Sequence, residues 1–310
     1  MNFYSDLDLI LIYDSHARYN SGNKNYGSLP AYFAKFTQSL VSAFTSLTQE
    51  GRLYQVDMRL RPSGKQGPVA TSLSAFDSYQ REKAWVWEHM ALSRARIIAG
   101  DISIKREVLG VFDKVFGQGG HSKQTIKTQT FKMRHSLKTN FPSVFTPPEI
   151  KFGRGGMQEL ELLVQMGFLL TDLSYETNRQ SPQHLIKRLS DKNFFTKDET
   201  CNLLLIYNLY FNFQQTYGIF TVKKSEEEKL SEIGCRQLLA SISDRNICRD
   251  ISCVEDLNGV LIEKANFVGD LLKLKFSFKL NKIIPIAHTS TTAPNDFTNL
   301  FVFFSSTLEV

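Results

Sequence analysis

The stretch SDLDLILIYD, residues 5–14, sets Asp6 and Asp8 inside a run that is otherwise almost wholly apolar. Strand side chains alternate with a period of two, so both aspartates project from one face while Leu7 and Leu9 project from the other. Neighbouring carboxylates repel, and burial raises the pKa of at least one of them unless a cation lies between. Magnesium suits an all-oxygen site of this kind. The same pattern is met by an edge strand whose aspartates are simply solvated.

The segment that follows, DSHARYNSGNKNYGSLP, reads as loop from its Asn, Gly, Ser and Pro content. Pro30 then opens a helix, with Phe33, Phe36, Leu40, Phe44 and Leu47 forming one apolar stripe to about Gln49. Gly51 stops it. In LYQVDMRLRP, Tyr54, Val56, Met58 and Leu60 face one way, and Gln55, Asp57, Arg59 and Arg61 face the other. Strand, helix and strand make an α/β core carrying a polar platform. Asp6, Asp8 and Asp57 can converge at one sheet edge and hold two Mg2+ ions about 3.5–4 Å apart. One ion would lower the pKa of an attacking hydroxyl, and the other would neutralise a triphosphate as pyrophosphate leaves. Arg59 and Arg61 share the Asp57 face and suit phosphate oxygens. The alternative is that Asp57 and Arg59 merely pair across the strand surface.

PSGKQGP is a turn-rich connection. From about Ser74 to Gly100 the chain reads as helix, with Phe76, Tyr79, Trp87, Met90 and Ala91 among charges. Lys123 to Asn140 is a polar, basic helix, and the prolines of PSVFTPPEIKFGRGG exclude regular structure there. Beyond Gly156 helices are expected at 157–171, 183–190, 197–220, 225–243 and 254–274. The fold class is therefore α+β, with a head over residues 1–100, a helical bundle over 101–280 and an irregular tail over 281–310.

In FGRGGMQELELLVQ a Gly-Gly pair precedes a helix, an arrangement that serves either as an anion-holding terminus or as a plain turn. Gln158, Glu161 and Gln165 form a polar stripe bordered by Leu160, Leu162, Leu163 and Val164. Such a stripe needs partners, either a ligand and the groups behind the metals or an internal network joining head to bundle. AWVWEHMAL at 84–92 reads as core, and His89 beside its tryptophans reads as a packed, hydrogen-bonded histidine rather than an acid–base group. The net charge of +6 fits an anionic ligand such as a nucleotide but is too diffuse to indicate DNA. Cys201, Cys235, Cys248 and Cys253 match no zinc spacing and, with no signal peptide, read as reduced thiols of a cytosolic protein. No apolar run approaches a membrane span, and no Ser/His/Asp pattern, P-loop or dinucleotide fingerprint is present.

Taken together, SDLDLILIYD, LYQVDMRLRPSGKQGP, SAFDSYQREKAWVWEHMALSRAR and KFGRGGMQELELLVQ resemble, in order and spacing, the glutamine synthetase adenylyltransferases. The resemblance covers about residues 1–240, and VDMRLRPSG is its most specific block. It implies a DNA polymerase β-like nucleotidyltransferase head followed by a helical bundle. The family's full-length enzyme is bifunctional: one half transfers AMP from ATP to a tyrosine of glutamine synthetase, and the other removes it by phosphorolysis. AFDSYQ followed by AWVWEHMAL is closer to the C-terminal, adenylylating half. The resemblance assigns Asp6, Asp8 and Asp57 as catalytic metal ligands, and Ser5, Arg59, Arg61 and Glu161 stand beside them as candidate nucleotide contacts. It implies Mg2+, ATP as substrate, glutamine synthetase as partner with a PII-type nitrogen-signalling protein beside it, a cytoplasmic location, and neither nucleic acid nor membrane.

The sequence departs from the family pattern at several points. Residues 1–310 hold neither the glycine-rich GKLGG-type segment that in the family precedes the aspartate strand and grips the phosphates nor a second catalytic half. The D-I-E-F block reads Glu159-Leu160-Glu161-Leu162, and the tail after about residue 280 resembles nothing in the family. Two expectations follow. The chain is a Mg2+-dependent adenylyltransferase, slowed by the lack of phosphate-gripping donors, or it is a catalytically silent chain that only binds glutamine synthetase or a nitrogen-signalling protein.

Overall fold

The aspartate strand is split between two partners. The computed structural model describes residues 7–15, 28–52, 54–117, 120–140, 150–171, 173–176, 181–222, 229–230, 236–237, 240 and 254–276. Within them β1 (Leu7–Asp8) pairs in parallel with β5 (Val56–Asp57), and β2 (Leu11–Tyr13) pairs in parallel with β6 (Ala70–Ser72). Backbone bonds from Leu7 N–H to Gln55 O (2.7 Å) and from Leu9 N–H to Asp57 O (2.9 Å) extend the first pairing. Ser5, Asp6 and the 281–310 tail lie outside the described residues.

Helix α1 (Leu29–Thr45) opens with Pro30, as the sequence indicates, but ends earlier than the apolar stripe suggests. The Ser46 hydroxyl turns back to the Ser42 carbonyl, and Leu47–Thr48 (β3) pairs antiparallel with Gly51–Arg52 (β4). Gly51 has φ of +101°, a conformation open to glycine, so it closes a hairpin rather than only stopping a helix. Leu47 accordingly leaves the stripe and is 77% exposed. Phe33 stays with the head, its ring stacked 4.6 Å from that of Tyr13.

Two other boundaries differ from the periodicity. The second strand is confined to Val56–Asp57, because Arg59 and Arg61 bond backward and forward within the segment and coil it into a loop. The single helix expected over 74–100 is two helices, α2 (Leu73–Glu82) and α3 (Val86–Leu92). The N–H groups of Lys83 and Ala84 both end on the Tyr79 carbonyl, and the Glu88 carboxylate accepts the Trp85 N–H at 2.7 Å, starting a fresh helix. Glu88 is buried there, so this start is fixed internally and not by solvent.

Behind the head come α4 (Ile102–Gly117), α5 (Lys123–Asn140), α6 (Met157–Leu170), α7 (Pro182–Asp191), α8 (Lys197–Phe220) and α9 (Val254–Phe276). Most of the helix expected at 225–243 lies outside the described residues. Of the part described, Lys229–Leu230 (β8) pairs antiparallel with Thr221–Val222 (β7), which corrects that portion to a strand, while residues 236–237 and 240 are helical as expected. Helix α6 is the axis of the bundle, with Leu160, Leu163 and Met166 fully buried and α3, α5, α7, α8 and α9 packed around it. Each such side chain contributes about 1.5–3 kcal/mol. Phe76, Val86, Met90 and Leu92 of α2–α3 join the same apolar cluster, so the site-bearing strands rest on a helical foundation. Among the described residues no helix is long and apolar enough to cross a membrane.

Candidate functional site

Register brings the two described aspartates together. Asp8 stands directly opposite Asp57 on parallel neighbours, so both side chains leave the same face. Strands in a sheet are about 4.8 Å apart, which puts the two carboxylates in range of one cation. Both are nearly dry, Asp8 at 4% and Asp57 at 9% exposure. Apolar neighbours Leu7 and Val56 take the alternate positions and turn the other way.

Asp57 is held on both oxygens by one residue. The Arg59 N–H donates to Oδ1 at 2.8 Å, while Arg59 Nε donates to Oδ2 at 2.6 Å and Nη2 also reaches Oδ2. A carboxylate keeps further lone pairs when each oxygen accepts one such bond, so the oxygen set of Asp8 and Asp57 still fits a hard divalent ion. A guanidinium already supplies positive charge at Oδ2. Among the described residues no group of three His, Cys, Asp or Glu comes together as a metal site; Asp6 is not among those residues.

Arg61 faces its own backbone. Its Nη1 donates to Met58 O (2.7 Å), Nε to Gly67 O (3.2 Å) and Nη2 to Lys65 O (3.3 Å), so the guanidinium gathers the loop that follows Asp57. Burial lowers its pKa and the nearby Asp57 charge opposes the shift. The loop turns through Ser63 (φ +63°) and Gly64 (φ +54°) into a 3-10 turn over Gly64–Gln66. It closes tightly at Gly67, where an added Cβ would stand 1.9 Å from the Pro62 carbonyl oxygen.

Glu161 lies on the bundle axis and is bonded to Arg94, whose Nη1 is 2.8 Å from Oε1, with both side chains 7% exposed. Burial raises the Glu161 pKa, and Arg94 opposes that rise most strongly. The pair joins the segment after α3 to α6. Gln158 and Gln165 of the same stripe are buried as well. Next to it, Glu159 accepts Arg134 Nε (2.8 Å) and the Gly155 N–H (2.9 Å), and Arg134 also reaches Gly269 O of α9. The Gly-Gly pair is explained by packing. Gly155 has φ of +74° and its missing Cβ would fall 1.8 Å from Ala265 O, while a Cβ on Gly156 would fall 2.4 Å from Ile150 O.

His89 is 2% exposed and its Nε2 lies 2.9 Å from Gln80 O. Facing a carbonyl, Nε2 carries the proton. Burial pushes its pKa down to about 4. Arg94, Tyr79 and Glu88 were not singled out by sequence reasoning as partners; their pairings join residues 9 to 67 positions apart, which no local period reveals.

Residues 1–111, which include both aspartate strands, the 61–67 loop and α2–α3, match the model of the glutamate-ammonia ligase adenylyltransferase family. Relatives extend the likeness into the bundle. The bifunctional glutamine synthetase adenylyltransferase/adenylyl-removing enzyme of Agrobacterium fabrum is 43% identical over 169 residues, covering 52% of this chain and 16% of that protein. The enzyme of the same name from Mesorhizobium japonicum is 38% identical over 187 residues, 60% of this chain and 19% of its own length. That from Xanthobacter autotrophicus is 44% identical over 165 residues, 52% and 16% respectively. The chain thus spans less than a fifth of the length of these curated relatives.

Proposed function

We propose that the chain is a Mg2+-dependent nucleotidyltransferase acting with ATP on a tyrosine of glutamine synthetase. One observation carries the reading: two nearly dry aspartates stand in register, with an arginine on one of them, inside the residues that match an adenylyltransferase family. In this reading Asp8 and Asp57, with Asp6, hold Mg2+, and Ser5, Arg59, Arg61 and Glu161 serve the nucleotide directly or through neighbours. Bound Mg2+ supplies charge neutralisation at the triphosphate and a lowered pKa for the attacking hydroxyl.

The protein's own groups do the rest. Asp57 takes the proton of the tyrosine hydroxyl as its oxygen forms a bond to the α-phosphorus. The bond from that phosphorus to the bridging oxygen breaks, and pyrophosphate leaves. Arg59, resting on Asp57 Oδ2, exchanges that partner for a phosphate oxygen, which frees the carboxylate at the moment it is needed. Arg61 keeps the loop behind them in shape. Glutamine synthetase, and a PII-type regulator beside it, are the proposed partners. The test is calorimetric titration of the 310-residue chain with ATP, with and without Mg2+. Binding that needs Mg2+ and is lost in Asp8→Asn supports the reading; equal binding by wild type and Asp8→Asn overturns it.

A further inference from the structure

Arg59 grips Asp57 in two different ways. Its N–H donates to Oδ1 at 2.8 Å, an Asx-type turn that the backbone makes whatever side chain stands at 59. Its Nε donates to Oδ2 at 2.6 Å and Nη2 reaches the same oxygen, contacts that take a guanidinium fork. The turn closes without the fork, so the side-chain grip is an addition to the fold and not a condition of it. Arg61 pins the backbone beneath, because its Nη1 donates at 2.7 Å to the carbonyl of Met58, the residue between Asp57 and Arg59. The pair therefore has a fixed backbone and one side chain with somewhere to go: Arg59 is 23% exposed, while the carboxylate it grips is almost dry.

We infer that Arg59 is an internal cation that competes with the divalent ion for Asp57 Oδ2 and is drawn off by the triphosphate, so that metal and nucleotide enter the site together. This rests on the nucleotide reading above and adds to it the way the site is regulated. A guanidinium and a metal ion on one oxygen repel, and salt screens that repulsion little beside carboxylates as buried as Asp8 and Asp57. While Arg59 lies on Oδ2, it cancels part of the negative charge that attracts an ion. Once Arg59 turns onto a phosphate oxygen, that charge is restored to the face Asp57 shares with Asp8. The coupling is reciprocal: a nucleotide that draws Arg59 away tightens the ion, and an ion that displaces Arg59 readies it for the nucleotide. The ion alone binds weakly, and the ion with ATP binds well.

The test uses the full chain, as wild type, Arg59→Gln, Arg59→Lys and the double variant Arg59→Gln with Asp8→Asn. The probe is Mn2+, which takes the same oxygen ligands as Mg2+ and whose free ion is counted by electron paramagnetic resonance. Without nucleotide, Mn2+ should bind about tenfold tighter to Arg59→Gln than to wild type, the scale of one hydrogen bond to a charged group. Adding Asp8→Asn should abolish the gain, which ties the ion to the paired aspartates. Arg59→Lys, which keeps the charge and loses the fork, should fall between wild type and Arg59→Gln. Calorimetry with Mg·ATP should move the other way, with affinity about tenfold weaker in Arg59→Gln. Opposite signs are the mark of a competing cation. Unchanged Mn2+ affinity in Arg59→Gln overturns the inference and leaves Arg59 a nucleotide contact only; weaker Mn2+ and weaker Mg·ATP together overturn it and leave Arg59 a shaping residue. Tighter Mn2+ in Arg59→Gln with no Mg·ATP binding by wild type removes the nucleotide reading, and with it the part given to the triphosphate, while the competition at Asp57 stands.

Discussion

Lowering the pH from 7.5 to 4 should destabilise the fold through His89. The ring is 2% exposed, its Nε2–H is committed to Gln80 O, and the His121 ring lies 4.9 Å away, centre to centre. Burial is the largest reason its pKa falls from 6.5 to about 4; the Gln80 carbonyl pulls upward and His121 adds to the fall. A depressed value means that the folded chain binds the proton less readily than the unfolded chain. The associated stability is therefore fully present above pH 6.5 and is lost as pH falls toward 4. At about 1.4 kcal/mol per unit, the shift corresponds to about 3 kcal/mol, a large share of the 5–15 kcal/mol typical of a domain. Other groups titrate over the same range, so the assay is a difference. Urea unfolding of wild type and His89→Gln, followed from pH 7.5 to 4, should show the wild-type advantage shrinking by about 3 kcal/mol. If the two lose stability in parallel, His89 is not a buried neutral base and the reasoning fails.

Breaking the buried pair with Arg94→Leu should cost about 3–5 kcal/mol, and adding Glu161→Leu should recover much of it, both read from urea midpoints. Equal costs for the single and double variants would show that the pair acts only through volume. Gly155→Ala should destabilise by about 1–3 kcal/mol or more, because its Cβ meets the α9 backbone; unchanged melting would mean that α9 moves aside freely.

The sequence made the site legible wherever one period ruled. Asp8 and Asp57 share a face because strand parity and parallel register agree, and Leu7 with Val56 mark the opposite side. The family blocks were equally legible, since VDMRLRPSG and AWVWEHMAL fall within residues 1–111. Periodicity failed where a side chain terminates an element from a distance. Arg61 bends its strand into a loop by collecting three carbonyls, and nothing in alternating hydrophobicity announces that. Glu88 restarts a helix at Trp85 inside a segment whose composition is helical throughout. The Gly155–Gly156 pair was open between anion holder and turn, and the deciding neighbours, Ala265 and Ile150, come from a helix far along the chain and from the loop's own start. The stripe on α6 showed that partners were needed; only the packed bundle shows that Glu161 meets Arg94.

Asp8 and Asp57 are proposed to support transfer of AMP to glutamine synthetase. The most direct measurement is incubation of the chain with glutamine synthetase and ATP labelled at the α-phosphate, followed by recovery of the labelled tyrosine. The label is expected to depend on Mg2+ and to fall by about 10²-fold or more in Asp57→Asn, the scale of losing one preorganised electrostatic contact. Label that is unchanged in Asp57→Asn, or no label from wild type when Mg·ATP is bound, would contradict it.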